Sequence, residues 1–334
     1  MREILPMLEE WSRTGERAAL ATVVSVERSA PRGPGSTMAL AAGGAIAGSV
    51  TGGCVEPDVV IASEEVLAGG SPQLREYGIA DEEAFEVGLP CGGAVRIFVQ
   101  EMDPDVVARL TAAVRDEETL GVVTRIAGPR IGERVVTDVA GADPEAAALI
   151  RAGRSGAIGA GDEERFVLAV APRPRMYVFG AIDFAASVAS VGRFLGYHVT
   201  VCDARAAFVT PERFPDADEL VVRWPHELIA EAPIDERSAI CVLTHDAKFD
   251  VPALLAALGT PAGYIGAMGS RRTTVRREER LREEGLTDRD LARIHAPIGL
   301  SIGSKTPQEV AVAIGAQIIQ AMRTGVDQIA GVAS

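Results

Sequence analysis

The chain has 334 residues, 47% of them apolar and 24% charged, which suits about two domains, each with its own core. Its net charge of −14, from 33 basic and 47 acidic side chains, repels phosphate backbones and excludes general nucleic-acid binding. Four cysteines (54, 91, 202, 241) are too few and too dispersed for a disulfide scaffold. With no basic-then-apolar secretory pattern at the N-terminus, a cytoplasmic location is expected.

In chain order, Glu3 to Arg13 reads as a short amphipathic helix and the β-branched run Ala18 to Glu27 as a strand. Thr37 to Ala41 and Ala45 to Val50 flank Gly43-Gly44 as a hairpin. The uncharged stretch 33–55 is long enough to raise a membrane span, but its seven glycines make strands and turns the better reading. A loop, Gly48-Ser-Val-Thr-Gly-Gly-Cys54-Val-Glu56, precedes a helix from Pro57 to Leu67. Strands at Leu74 to Tyr77 and Ala94 to Glu101 enclose a second loop, Leu89-Pro-Cys91-Gly92-Gly93. A helix from Asp105 to Arg115, strands at 119–126 and 133–137, a helix opened by Asp143-Pro144 and a strand from Arg165 to Ala171 follow. The stiff Pro172-Arg-Pro174 then suits a domain boundary.

Beyond it the pattern alternates strand and helix. Strands at 176–180, 198–203, 219–224, 239–244 and 264–268 imply a five-stranded parallel sheet covered on both faces. Thr306-Pro-Gln-Glu309 is a capping box that opens a helix to about Met322. The fold expected is α/β: an N-terminal mixed α+β domain over residues 1–171, then a Rossmann-like doubly wound domain over residues 175–323.

Several places can carry chemistry. Gly180-Ala-Ile-Asp-Phe-Ala185, with Asp203 ending the next strand, has the first glycine, last small residue and acid of a dinucleotide fingerprint. Ile182 stands where the second glycine should let backbone approach a pyrophosphate, and Asp183 adds a negative charge there, which weakens an NAD(P) site. His245 and Asp246 end the fourth strand, where His245 reads as a general base, a metal ligand with Asp246 or Asp250, or a helix cap. With four histidines and no Cys/His cluster, no metal site is expected.

Gly269, Ser270, Arg271 and Arg272 meet at a helix start, an arrangement that favours a phosphate or carboxylate. Further along that helix, Arg276, Arg277, Arg280 and Arg282 alternate with Glu278, Glu279, Glu283 and Glu284 and read mostly as a salt-bridged surface. Gly303-Ser-Lys305-Thr306 offers a second anion contact. Cys54 and Cys91, beside the pairs Gly52-Gly53 and Gly92-Gly93, are either small packing residues or thiolates beside exposed amides, whereas Cys202 and Cys241 lie in apolar strands and pack.

Together these motifs resemble the XdhC/CoxI family, accessory proteins for xanthine dehydrogenase and carbon monoxide dehydrogenase. The matching segments include both glycine-cysteine loops, Val199 to Arg205, Glu212-Arg-Phe-Pro215, Thr244-His-Asp246, Gly269-Ser-Arg-Arg272 and Pro297-Ile-Gly-Leu300. Many members begin the second domain with Gly-Ala-Gly-His, where this chain has Gly180-Ala-Ile-Asp183. The resemblance implies a chaperone, not a turnover enzyme. It would bind molybdenum cofactor, protect it while its terminal sulfido ligand is installed, and insert it into an apo-molybdoenzyme of the xanthine oxidase class. It further implies a homodimer, with a cysteine desulfurase as another partner. The cofactor-binding residues expected on these motifs are Gly52, Gly53, Cys54, Cys91, Gly92, Gly93, Gly180, Asp203, Arg205, His245, Asp246, Gly269, Ser270, Arg271 and Arg272. An NAD(P)-dependent oxidoreductase is the alternative.

Overall fold

A computed structural model describes residues 1–28, 30–78, 93–244 and 246–330. The chain forms two compact units, Met1–Pro172 and Arg173–Ser334.

The first unit runs α1 (Leu5–Thr14), β1 (Ala18–Glu27), β2 (Thr37–Ala41), β3 (Ile46–Gly48), α2 (Glu56–Leu67), β4 (Gln73–Tyr77), β5 (Ala94–Glu101) and α3 (Pro104–Arg115). It continues with β6 (Leu120–Arg125), β7 (Arg134–Thr137), α4 (Pro144–Arg151), β8 (Gly156–Ile158) and β9 (Arg165–Val170). These strands build two antiparallel sheets, β3-β2-β1-β5-β4 and β7-β6-β9-β8. Strand alternation sorts β1 onto two cores. Ala19, Ala21 and Val23 pack with Val59, Ala62 and Val66 of α2, while Ala18 and Leu20 pack with Leu8 and Trp11 of α1. Helix α2 is thereby fixed against the sheet, and its first residue is Glu56.

The second unit runs β10 (Arg175–Phe179), α5 (Asp183–Phe194), β11 (His198–Cys202), β12 (Glu219–Val221), α6 (Pro225–Glu231) and β13 (Ala239–Val242). After these come α7 (Ala247–Leu258), β14 (Tyr264–Ala267), α8 (Arg271–Glu283), α9 (Asp288–Leu291), β15 (Ile294–His295) and α10 (Pro307–Ala330). Every strand pairing in its sheet is parallel, in the order β12-β11-β10-β13-β14-β15. This is the Rossmann-like doubly wound sheet expected. Met176 and Val178 face α5 and α10, whereas Tyr177 and Phe179 face α6 and α7, so burial on both sides explains the unbroken apolar run. The strand order reverses between β10 and β13, which puts the ligand-binding crevice of such sheets at their carboxyl ends.

Four details differ from the sequence expectation. A sixth parallel strand, β15, and a three-residue strand, β8, are too short to show periodicity. Helix α10 continues to Ala330. Arg277, expected on a solvated face, is buried beside Thr274 and Leu281.

At the crevice, Gly180 has φ +104°, and a Cβ there would meet Thr244 Cγ2 at 2.7 Å and Thr244 N at 3.0 Å. Gly44 has φ +88° with no atom within 4 Å of a Cβ. Gly44→Ala should therefore cost about 1 kcal/mol from backbone strain alone, and Gly180→Ala at least about 2 kcal/mol. Urea unfolding by tryptophan fluorescence checks this, with Trp11 reporting the first unit and Trp224 the second. Equal costs would contradict the close approach.

Candidate functional site

The first glycine-cysteine loop is wrapped around a carboxylate of its own chain. Glu56 Oε1 accepts from Ser49 Oγ at 2.7 Å and from the N–H groups of Val50 at 3.3 Å, Thr51 at 2.9 Å and Gly52 at 2.8 Å. Its Oε2 accepts from Thr51 Oγ1 at 2.7 Å, Gly53 N at 2.8 Å and Val55 N at 3.2 Å. The turn needs Gly52 at φ +89° and Gly53 at φ +124° to aim its amides inward. A carboxylate offers about four lone-pair directions, so these seven donors engage Glu56 completely. Burial raises the Glu56 carboxyl, but the bonds from Ser49, Thr51 and Gly52 outweigh it and hold the group well below the usual carboxylate range. Cys54 is half-buried, a free thiol packed against the core that Val50, Val55 and Val59 share. Of the second loop, Cys91 and Gly92 lie outside the described residues, and Gly93 is buried directly before β5.

At the carboxyl edge of the second unit, Asp203 is 3% exposed and plays the same part. Its Oδ2 accepts from Ala181 N at 2.9 Å and Arg205 Nη2 at 2.8 Å, and its Oδ1 from Arg205 N and Nε, both at 2.9 Å. Burial raises the Asp203 carboxyl, but the Arg205 and Ala181 bonds prevail and lower it. Arg205 also lies over the Phe208 ring, 4.6 Å from its centroid. No oxygen of Asp203 is left for a ribose hydroxyl. Asp246 caps α7 by accepting from Lys248 N at 3.1 Å and pairs with Lys248 Nζ at 3.2 Å. Its carboxylate still reaches solvent. His245 lies outside the described residues.

Two helix starts remain. At α10, Glu309 Oε2 accepts from Lys305 N at 2.7 Å and Thr306 N at 3.0 Å, so the Gly303–Thr306 turn is closed by its own acid. Helix α8 is different. Ser270 caps it by accepting from Thr273 N at 3.2 Å, and its first turn contains no acid. Among the described residues, the N–H groups of Arg271 and Arg272 have no internal acceptor, and their exposed guanidinium groups have no partner. An open helix N-terminus with two free cations suits an anion.

Beneath this turn is a group that sequence reasoning missed. Arg277 Nη2 donates to Met268 O at 2.6 Å and to Asp250 Oδ2 at 2.9 Å, and Asp250 Oδ1 accepts from Thr244 Oγ1. The chain ends of β13 and β14 are thus tied through α7 and α8. The available signal was helical spacing, since Arg277 falls on the stripe Thr274–Arg277–Leu281. Among the described residues no group of three or more His, Cys, Asp or Glu side chains is gathered as a metal would require. Nor is any described helix long and apolar enough to cross a membrane.

Residues 176–318 match the XdhC Rossmann domain, and residues 11–78 match the XdhC and CoxI family. A Bacillus subtilis protein, named as a probable subunit of xanthine dehydrogenase, is 28% identical over 94% of this chain and 96% of its own. The Escherichia coli molybdenum cofactor insertion chaperone PaoD is 26% identical, over 95% of this chain and 87% of its own. A crystal structure described as a xanthine dehydrogenase from Bacillus halodurans shares the fold, with a TM-score of 0.70 and 24% identity over 96% of each chain.

The Glu56 clasp makes a pH-dependent prediction. Glu56→Gln should destabilise the first unit by about 2 kcal/mol at neutral pH, because the amide NH₂ cannot accept from the donors that face one carboxylate oxygen. The folded carboxyl is depressed below 4.5, so the wild-type advantage should be full above that value and shrink as pH falls below it. Urea midpoints of both proteins between pH 7 and pH 3, roughly, check the sign. A gap that widens on acidification contradicts it.

Proposed function

The chain belongs to the XdhC and CoxI family, and we propose that it binds molybdenum cofactor, supports its sulfuration and inserts it into a xanthine dehydrogenase-type molybdoenzyme. In this reading it is an accessory chaperone acting as a homodimer, with an apo-molybdoenzyme of the xanthine oxidase class and a cysteine desulfurase as partners. The names of the similar proteins from B. subtilis and E. coli support the accessory role.

The observation that carries the reading is the open start of α8. Molybdopterin ends in a phosphate, and the cofactor supplies the metal and dithiolene chemistry when bound. Of the described turns suited to an anion, the β14–α8 turn has unpaired N–H groups and two unpartnered guanidinium groups without a competing acid. Arg271 and Arg272 would hold the phosphate there, with Ser270 fixing the turn. Asp246, still open to solvent, would accept from the pterin's N–H edge. Cys54 is the described thiol set in a rigid glycine turn, and it is the candidate for handling sulfur.

The NAD(P)-dependent alternative has less support, because Asp203 is saturated by Ala181 and Arg205. Purifying wild type and Arg271→Ala/Arg272→Ala from cells that make molybdenum cofactor, then measuring pterin per chain, tests the proposal. Wild type should retain pterin, and the double variant about tenfold less, as loss of charge-assisted hydrogen bonds implies. Equal, negligible amounts in both would end the proposal.

A further inference from the structure

Arg277 holds a buried donor nitrogen that no described residue uses. The residue is 8% exposed, and its Nη1 is buried without a hydrogen-bond partner among the described residues, although Nη2 has two. Buried donors are nearly always paired, and a guanidinium N–H held dry without an acceptor carries an uncompensated desolvation cost. The group lies against the turn that opens α8: Nη2 bonds Met268 O, and a Cβ on Gly269 would stand 3.4 Å from it. The helix above it has 13 residues, no acid in its first turn and two arginines unpartnered among the described residues. The guanidinium that carries the orphan nitrogen reaches the open helix start through its other nitrogen, Nη2, so two independent features share one turn.

We propose that the β14–α8 turn is a phosphate-monoester subsite in which Arg277 is the buried ligand donor, with Asp250 and Thr244 as its positioning residues. Asp250 takes one guanidinium nitrogen and is itself fixed by Thr244 Oγ1, so the plane of the guanidinium is set before a ligand arrives. Arg277 balances the buried Asp250, while Arg271 and Arg272 supply the net positive charge for a dianion. Lysine cannot substitute: a single ammonium on a flexible stem cannot bond Met268 O and Asp250 while presenting a further N–H in a fixed plane. This inference rests on the reading that the cofactor's phosphate is held here, and adds the residue that would hold it from below.

Calorimetric titration of the full chain with inorganic phosphate tests it, in wild type, Arg277→Lys and Arg271→Ala/Arg272→Ala. Wild type should bind saturably. Arg277→Lys should bind about tenfold more weakly while its unfolding temperature without phosphate stays close to wild type. If Arg277→Lys does not fold, Asp250→Asn/Arg277→Gln, which removes both buried charges together, is held to the same criterion. Phosphate binding as strong as wild type in the folded variant, or no saturable binding by wild type, overturns the inference. A parallel titration with AMP identifies the source. Tighter binding than inorganic phosphate, still dependent on Arg277, assigns the subsite to a nucleotide; equal or weaker binding leaves the pterin phosphate. Pterin retention separates the two claims. Retention lost in Arg271→Ala/Arg272→Ala but kept in Arg277→Lys defeats the Arg277 role alone, whereas no retention by wild type defeats the chaperone reading whatever phosphate does.

Discussion

A backbone N–H exposed at a tight turn or helix start must find an acceptor, and in this chain an acidic side chain of the same region usually supplies it. Glu56 fills the Ser49–Val55 loop, Asp203 takes Ala181 N, Asp246 caps α7 and Glu309 closes the start of α10. Each contact stiffens its turn, and each also removes a place where an external anion could bind. The start of α8 is capped by a serine instead, and it carries Arg271 and Arg272. Selectivity for one anion position thus follows from where the chain places its own carboxylates.

The second unit turns that local fact into a site. Parallel pairing brings the ends of β10, β11, β13 and β14 to one edge, and the reversal of strand order beside β10 opens a crevice there. Gly180 lies so close to Thr244 that the first loop of the crevice is shut against the fourth strand, and Asp203 is already bonded. What a dinucleotide would use is therefore largely consumed, while the β13 and β14 ends are braced by the buried Asp250–Arg277 pair. The contacts of that pair join the chain ends after β13 and β14. The first unit follows the same logic, with the Glu56 carboxylate holding the turn that presents Cys54.

Much of the fold was legible because strand and helix periods are long in this chain. Ala18 to Glu27 and Ala94 to Glu101 read as strands and fold as such, and β-α alternation after Pro174 announces the parallel sheet. Strands of two or three residues, β15 and β8, give no period to detect. Site chemistry was less legible because a motif shows which residues are neighbours, not which donors are already satisfied. Gly52, Gly53 and Cys54 stand out in the sequence as glycines and a thiol, yet Glu56 organises that loop from the end of the same motif. Asp203 reads as a ligand-facing acid, and its carboxylate instead joins the starts of two loops. Arg277 is hidden among alternating Arg and Glu, and only its spacing from Thr274 and Leu281 marks it as inward-facing.

The most direct test is a crystal structure of the protein isolated with molybdenum cofactor bound, read for the position of the cofactor's phosphorus. It should lie over the first turn of α8, within hydrogen-bonding reach of the Arg271 and Arg272 amides, with Glu56 still clasped by Ser49 to Val55. A phosphate seated instead in the Ser49–Val55 loop with Glu56 displaced, or at Gly180 with Asp203 released from Arg205, would contradict the account.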